Sequence, residues 1–238
     1  MSNVLSVIVL LSTWLPIKDL REEKLHQPEE TILKKTFVIE VTRFRAKEGT
    51  DDEAFTKRDA EIEEDYTSKQ PGFIRRESAQ SEDGEWLVVV YWEDMESASA
   101  SMQKFMGDAS VADYAGMIDG ATMKMKRFMK EGKVDATKNA LPYVIEVTTL
   151  TSNKEIEKGV FAKRDAGVEK DYTSKQPGFI ARESAQAEDG EWVVVVYWKT
   201  LEDANASMQK FMGDASVADY AAMIDSQSMA MARFSAKN

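Results

Sequence analysis

The sequence predicts an α+β protein made of two copies of one small module, each with a four-stranded sheet and helices on one face. Three observations predict this fold: a long internal repeat, a β-α-β-β-α-β order within each copy, and a third strand that is apolar on both faces. The copies start at Phe37 and Tyr143, a constant 106 residues apart, and 61 of 92 aligned positions are identical.

The repeat divides the chain into four segments. We predict an N-terminal extension over residues 1–35, a first module over 36–129, a linker over 130–142 and a second module over 143–236. The linker is polar and contains Gly132 and Pro142, both of which interrupt regular structure. Residues 43–54 share nothing with residues 149–160, so the segment after the first strand is constrained differently in the two copies.

The elements of the first copy follow from residue pattern. β-Branched and aromatic residues predict strands, apolar residues at 3.6-residue spacing predict helices, and Pro71-Gly72 and Asp83-Gly84 mark breaks. Ser110 is expected to cap a short third helix. The predicted elements are a strand Phe37–Phe44, a helix Asp51–Lys69, strands Phe73–Gln80 and Glu85–Trp92, a helix Met95–Met106 and a last strand Met123–Phe128.

The third strand decides how the modules pack. Trp86, Val88, Val90 and Trp92 occupy one face of it, and Leu87, Val89 and Tyr91 occupy the other. A ferredoxin-like sheet has helices on one face only, so the other face would expose a large apolar patch unless something covered it. We therefore expect the two copies to pack sheet to sheet, as a pseudo-dimeric barrel within one chain that is monomeric or forms weak higher assemblies.

At this point the sequence resembles a known family. The run QPGFIRRESAQSEDGEWLVVVYW, followed by an Ala- and Met-bearing helix and VADYAGMID, is similar to an antibiotic biosynthesis monooxygenase domain of the dimeric α+β barrel superfamily. The resemblance covers both copies and not residues 1–35. It implies the barrel fold and a pocket for a small aromatic molecule, but the fold alone does not choose among the activities of that superfamily.

Composition excludes several functions. The net charge of −11 argues against nucleic acid and anionic membranes as partners. The chain has no Cys and its one His, His26, lies outside both modules, so we expect no thiolate or His-based catalytic site, no histidine-ligated haem and no metal site. No phosphate-binding glycine motif is present, and we expect no cofactor.

The N-terminus leaves two interpretations open. Residues 4–15 form an apolar run that is too short to span a membrane and has no basic residue before it. We favour a structural segment and a cytoplasmic location, with an export signal in residues 1–16 as the alternative.

Charged residues on apolar strands are the candidate catalytic groups. Glu40 and Glu146 lie in the first strand of each copy, and Arg76 and Arg182 lie in the second. A buried carboxylate is costly unless it is paired, and we expect Glu40 to pair with Arg76 or Arg127 inside the barrel. The Glu could serve as a base with a shifted pKa; a purely structural ion pair is the alternative.

Aromatic and basic residues complete the predicted site. Large aromatic side chains suit a flat aromatic ligand, although they could equally form the core or the interface between copies. The candidate substrate-binding residues are Trp86, Trp92, Trp192, Trp198, Tyr66, Tyr172, Arg127 and Arg233.

Three functions remain open from sequence. The first is a cofactor-independent monooxygenase for a small quinol or polyketide-like substrate, and whether the chain is an enzyme at all is left undecided. The alternatives are a non-catalytic binding module for an aromatic metabolite, and an isomerase or cyclase of the same superfamily.

Overall fold

A computed structural model describes residues 36–132, 134 and 139–237. The predictions for the N-terminal extension, including the export signal, and for part of the linker lie outside these residues. The first copy contains strands β1 (Thr36–Ala46), β2 (Phe73–Gln80), β3 (Glu85–Trp92) and β4 (Ile118–Glu131), and helices α1 (Asp52–Asp65), α2 (Met95–Phe105) and α3 (Ala112–Met117).

The second copy repeats this order, with strands β5 (Val144–Leu150), β6 (Phe179–Gln186), β7 (Trp192–Trp198) and β8 (Ala230–Ala236), and helices α4 (Lys158–Asp171), α5 (Leu201–Phe211) and α6 (Ala218–Met223). No helix of the described part of the chain is long and apolar enough to cross a bilayer.

Several element boundaries and one helix cap differ from the predicted ones. β1 covers Thr36–Ala46 and not only Phe37–Phe44, and β4 begins at Ile118 and not at Met123. The first helix ends at Asp65, and a separate 3₁₀ turn covers Thr67–Lys69. The last strand runs to Glu131, so it includes the first two residues of the predicted linker. The capping prediction for Ser110 was wrong: the Asp108 carboxylate accepts from Ser110 N at the start of another 3₁₀ turn, and α3 begins at Ala112 without a side-chain cap.

The eight strands form one closed antiparallel barrel. Their order is β1-β3-β2-β8-β5-β7-β6-β4, so each copy contributes a four-stranded ferredoxin-like sheet. The two sheets join at β2–β8, where Ala79 and Gln80 pair with Ala236 and Ser235, and at β4–β6 through Met129 and Gln186. The predicted barrel of two packed copies is confirmed, and closure leaves the sheet no open edge.

Alternation along the strands separates three cores. Leu87, Val89 and Tyr91 of β3 face the barrel interior, where side chains of both copies form one core. The other face of β3 carries Trp86 and Trp92 against the helices of the first copy, and the second copy has an equivalent helix-side core. Both faces of the third strand are therefore buried, as its sequence predicted.

The segment after the first strand differs in structure as it does in sequence. β1 continues to Ala46, and its Arg43 and Arg45 form ion pairs with Glu85 and Asp83, both at 2.5 Å. β5 stops at Leu150, before the positions that correspond to Arg45 and Ala46.

Candidate functional site

Each copy contains a cavity between its sheet and its helices. The cavity volume is about 100 Å³ in the first copy and about 80 Å³ in the second. Seventeen equivalent residues line each cavity, and the two linings differ at two positions: Phe44 corresponds to Leu150, and Ile62 to Val168. Fifteen of seventeen lining positions are identical, against 61 of 92 in the whole module.

Strand register explains which charged residues meet. Glu40 of β1 is directly opposite Arg127 of β4 and Val90 of β3, and Val90 in turn is opposite Arg76 of β2. The four residues form one row on the helix-facing side of the sheet. Neighbouring strands are about 4.8 Å apart, so Arg127 is adjacent to Glu40 whereas Arg76 lies two strands away.

Glu40 therefore pairs with Arg127. Arg127 Nε donates to Glu40 Oε2 at 2.6 Å, and Arg233 Nε donates to Glu146 Oε2 at the same distance. The expectation that this pair lies inside the barrel was wrong, because even-numbered residues of β1 point towards the helices. Arg127 and Arg233 do not line the cavities; they hold the carboxylates that do.

The Glu40 carboxylate faces the cavity and has a raised pKa. Its side chain is 9% exposed, and burial raises its pKa above the ordinary value despite the opposing effects of Arg127 and Trp92. Burial likewise raises the pKa of Glu146, against the effect of Arg233. A carboxyl group with a raised pKa, beside a cavity, can exchange a proton with a bound ligand.

Arg76 reaches the cavity wall from a different ion pair. Its Nη1 and Nη2 donate to the two carboxylate oxygens of Asp59 in α1 at 3.1 and 2.5 Å. Tyr114 Oη donates to Asp59 Oδ1 at 2.6 Å. Burial opposes ionisation of Asp59, but Arg76, Ser78 and Tyr114 together hold its pKa below the usual value.

The second copy repeats this cluster. Arg182 Nη2 donates to Asp165 Oδ1 at 2.5 Å, Tyr220 Oη donates to the same oxygen at 2.9 Å, and Ser184 Oγ donates to Oδ2. Burial, and then the charge of Asp165, raise the pKa of Tyr220, so its phenol stays protonated. Each cavity is thus bordered by a fixed guanidinium and by a neutral phenol.

The aromatic candidates divide into two groups. Trp92, Trp198, Tyr66 and Tyr172 line the cavities. Trp86 does not; its ring centroid lies 4.6 Å from that of Phe55 in the helix-side core, and Trp192 makes the equivalent contact with Phe161 at 5.1 Å.

Tyr66 has no free donor to offer a ligand. Its hydroxyl donates to the Ser101 carbonyl oxygen at 2.6 Å, and Tyr172 donates to the Ser207 carbonyl. The two phenol rings line the cavities. Through these hydrogen bonds, Tyr66 links the end of α1 to α2, and Tyr172 links the end of α4 to α5.

Methionines stand at the partly exposed side of each cavity. Met102, Met123 and Met125 line the first, and Met208, Met229 and Met231 line the second; Met123 is 39% and Met229 40% exposed. Methionine side chains adapt to irregular ligands, so they can shift to admit a molecule larger than the cavity.

Sequence reasoning missed several lining residues. Thr42, Ser101 and Tyr114 are polar residues of the first cavity that we had not proposed as site residues. A signal was available: Ser101 and Tyr114 lie in a sixteen-residue run, residues 100–115, that recurs unchanged at 206–221. Among the residues that the structure describes, no cluster of three or more His, Cys, Asp or Glu side chains could hold a metal ion.

The fold and the twin cavities define a tandem α+β barrel with one cavity in each copy. Residues 37–106 match the model of the antibiotic biosynthesis monooxygenase family, the family that the sequence resembled. No curated protein matches the chain.

Solved structures share the barrel fold. A protein from Lactobacillus acidophilus assigned as a monooxygenase is 11% identical with a TM-score of 0.58, covering 85% of this chain and 95% of that chain. A comparable protein from Fusobacterium nucleatum is 12% identical with a TM-score of 0.59, covering 84% and 91%. A mutant chlorite dismutase from Candidatus Nitrospira defluvii is 10% identical with a TM-score of 0.57, covering 85% and 92%. At these identities the likeness concerns the fold.

Proposed function

We propose that this protein is a cofactor-independent monooxygenase with one catalytic site in each copy, acting on a small phenol or quinol. The observation that carries the proposal is the buried Glu40 carboxylate, whose raised pKa suits a base and whose position faces an apolar cavity. The match of residues 37–106 to a monooxygenase family supports the same chemistry.

In this mechanism Glu40 takes the proton of a bound phenolic hydroxyl. The resulting phenolate is electron-rich, and its ring carbon reacts directly with O₂. One oxygen atom stays on that carbon as a carbonyl and the other leaves as water, so a quinol and O₂ give a hydroxyquinone and water. The substrate supplies all four electrons, and no external reductant is consumed.

The other polar residues have supporting roles. Arg76 presents a fixed positive group at the cavity wall, where it stabilises the developing anion, and the apolar lining strengthens this effect by excluding water. Arg127 positions the Glu40 carboxylate through the bond at 2.6 Å. Trp92 offers an indole ring against which an aromatic substrate can lie.

Cavity size favours small substrates. A cavity of roughly 150 Å³ is known to hold benzene, so the first cavity, at about 100 Å³, must expand somewhat to admit a single ring. Single-ring quinols therefore require only a small displacement of the methionines at the mouth. Polycyclic substrates require a larger one.

Oxygen consumption by the purified protein, with no added metal or flavin, tests the proposal. We expect uptake with monocyclic quinols, and a loss of about 100-fold or more when Glu40→Gln and Glu146→Gln are combined. The matched control combines Glu82→Gln with Glu188→Gln, because these are equivalent exposed residues of the two copies. Unchanged oxygen uptake in the variant that combines Glu40→Gln with Glu146→Gln would eliminate the two glutamates as bases.

One observation also favours a second function. A base beside a rigid, neutral phenol can move a proton between two atoms of a substrate without O₂, as an isomerase or cyclase requires. Turnover of a phenolic or lactone substrate under strict anaerobiosis would favour this function over oxygenation.

A further inference from the structure

The barrel interior holds a polar cluster on the axis that relates the two copies. Tyr91 and Tyr197 are equivalent residues, and their hydroxyls lie 2.8 Å apart. Arg75 Cζ lies 4.1 Å from the ring centroid of Tyr91 and 5.5 Å from that of Tyr197. Arg75 is 5% exposed, so this charge is buried at the centre of the barrel.

The position equivalent to Arg75 carries no charge. It is Ala181, which packs against the interior core. If it were arginine, the pseudo-symmetry would bring a second guanidinium within about the same distances of the two tyrosines. Two like charges at such separation in a buried place repel strongly.

Two carboxylates face this interior, one from each copy. Glu77 lies 3.6 Å from Arg75 Nε and accepts a hydrogen bond from Tyr143 Oη. Its equivalent, Glu183, is paired with Lys130 instead. The two carboxylates therefore form ion pairs with different cations, although they occupy equivalent positions in the two copies.

Both cations that pair with these carboxylates come from the first copy, Arg75 in the interior and Lys130 partly exposed. Lys130 corresponds to Ala236, as Arg75 corresponds to Ala181. At the rim of the same junction the cation again comes from the first copy and the carboxylates from the second. Lys126 contacts Asp189 and Glu191, each at 2.6 Å. The position equivalent to Lys126 is Ala232.

We propose that this charge asymmetry makes the first copy pair with the second copy and prevents pairing between like copies of two chains. A pair of first copies would enclose two arginines and two lysines with only two glutamates. A pair of second copies would enclose two glutamates with no cation. Only the mixed pair contains two cations and two carboxylates, which balances the buried charge.

A double-mutant cycle on the intact chain tests the central part of this proposal. Ala181→Arg is expected to lower Tm by about 5–10 °C relative to Ala181→Met, which adds a side chain of similar length without charge. When Arg75→Met is also present, the extra loss caused by Ala181→Arg should shrink to less than half. An equal loss in the two backgrounds would show that no charge coupling exists at the axis.

A pairing measurement tests the consequence directly. A protease site inserted between Gly132 and Asn139 allows the folded chain to be cut, unfolded in urea and refolded by dilution, after which native mass spectrometry identifies the pairs. We expect complexes with one fragment of each kind. Like pairs at statistical abundance would overturn the proposal, whereas their appearance only after Arg75→Met with Lys130→Met would support it.

Discussion

Arg127 Nε donates to Glu40 Oε2 at 2.6 Å, and the equivalent bond between Arg233 and Glu146 has the same length. The two arginines lie behind the carboxylates, outside the cavity linings. In the proposed mechanism they are positioning residues, and they also keep the pKa of the glutamates from rising further.

Removing these arginines should shift the pH dependence of activity. Arg127→Met with Arg233→Met removes a cation that lowers the pKa of each glutamate, so that pKa rises further above its ordinary value. The base works only when deprotonated, so the acidic limb of the pH–rate profile should move to higher pH. A uniform loss of rate at every pH, with no shift of this limb, would indicate a structural role alone; Arg45→Met serves as the surface control.

The two cavities should act independently. Because fifteen of their seventeen lining positions are identical, Glu40→Gln alone and Glu146→Gln alone should each leave roughly half of the turnover per chain. The variant that combines both substitutions should lose nearly all of the turnover. Initial rates of oxygen uptake measure this, and full activity in one single variant would assign catalysis to the other copy.

Asp59 should contribute to stability in a pH-dependent way. Its pKa is lowered in the folded protein, so its contribution is present above the unfolded pKa of about 4 and is lost as pH falls through the folded value. Asp59→Asn leaves Arg76 buried without its carboxylate and should cost about 3–5 kcal/mol at neutral pH. Urea unfolding at several pH values measures this, and the difference from wild type should narrow in acid.

The exposed Asp113 offers a control for that experiment. It pairs with Arg58 at the surface, at 2.9 Å. Because water screens such a pair, Asp113→Asn should have a much smaller effect than Asp59→Asn. Equal losses in the two variants would contradict the importance of the buried cluster.

The tryptophans should separate binding from stability. Trp92→Phe with Trp198→Phe changes the cavity wall and should raise KM for a quinol. Trp86→Phe with Trp192→Phe changes only the core against Phe55 and Phe161, and should lower Tm while KM stays the same. Steady-state kinetics and thermal unfolding of both variants distinguish the roles, and a KM effect from the Trp86 pair would place that residue at the substrate.

Gly72 should tolerate no side chain. Its φ is +72°, and an added Cβ would overlap the side chain of Ser97 at the start of α2. Gly72→Ala should therefore destabilise the protein by more than about 1 kcal/mol, which is typical of a positive φ alone. Gly49, with φ of +83° and nothing within 4 Å, is the matched control; chemical unfolding should show the smaller loss there.

The strand pattern and the repeat were sufficient for the fold. The alternation along Glu85–Trp92 buried one set of side chains in the barrel and the other under the helices, as predicted. Boundaries were less accurate where backbone pairing extends an element beyond its propensity. The strand β4 reaches Glu131 because β1 provides hydrogen-bonding partners along that length.

The candidate site was predicted less completely. Polar residues on apolar strands were the reason to select Glu40 and Arg76, but the pattern left open which cation Glu40 would meet and placed the pair, wrongly, inside the barrel. Strand order decided the partner, because β4 lies directly beside β1, whereas β2 lies two strands away from β1. Likewise, only packing could separate Trp92, on the cavity wall, from Trp86, against Phe55.

The sequence by itself determined the duplication, the α+β class and the two buried faces of the third strand, because each depends on local pattern or on comparison of residues. The tertiary structure alone decided the partners of the charged residues and the strands at which the two sheets join, because these depend on strand register and on contacts between residues far apart in the chain. The charge difference between Arg75 and Ala181 was visible in the repeat, but its meaning depends on the meeting of both copies at Tyr91 and Tyr197.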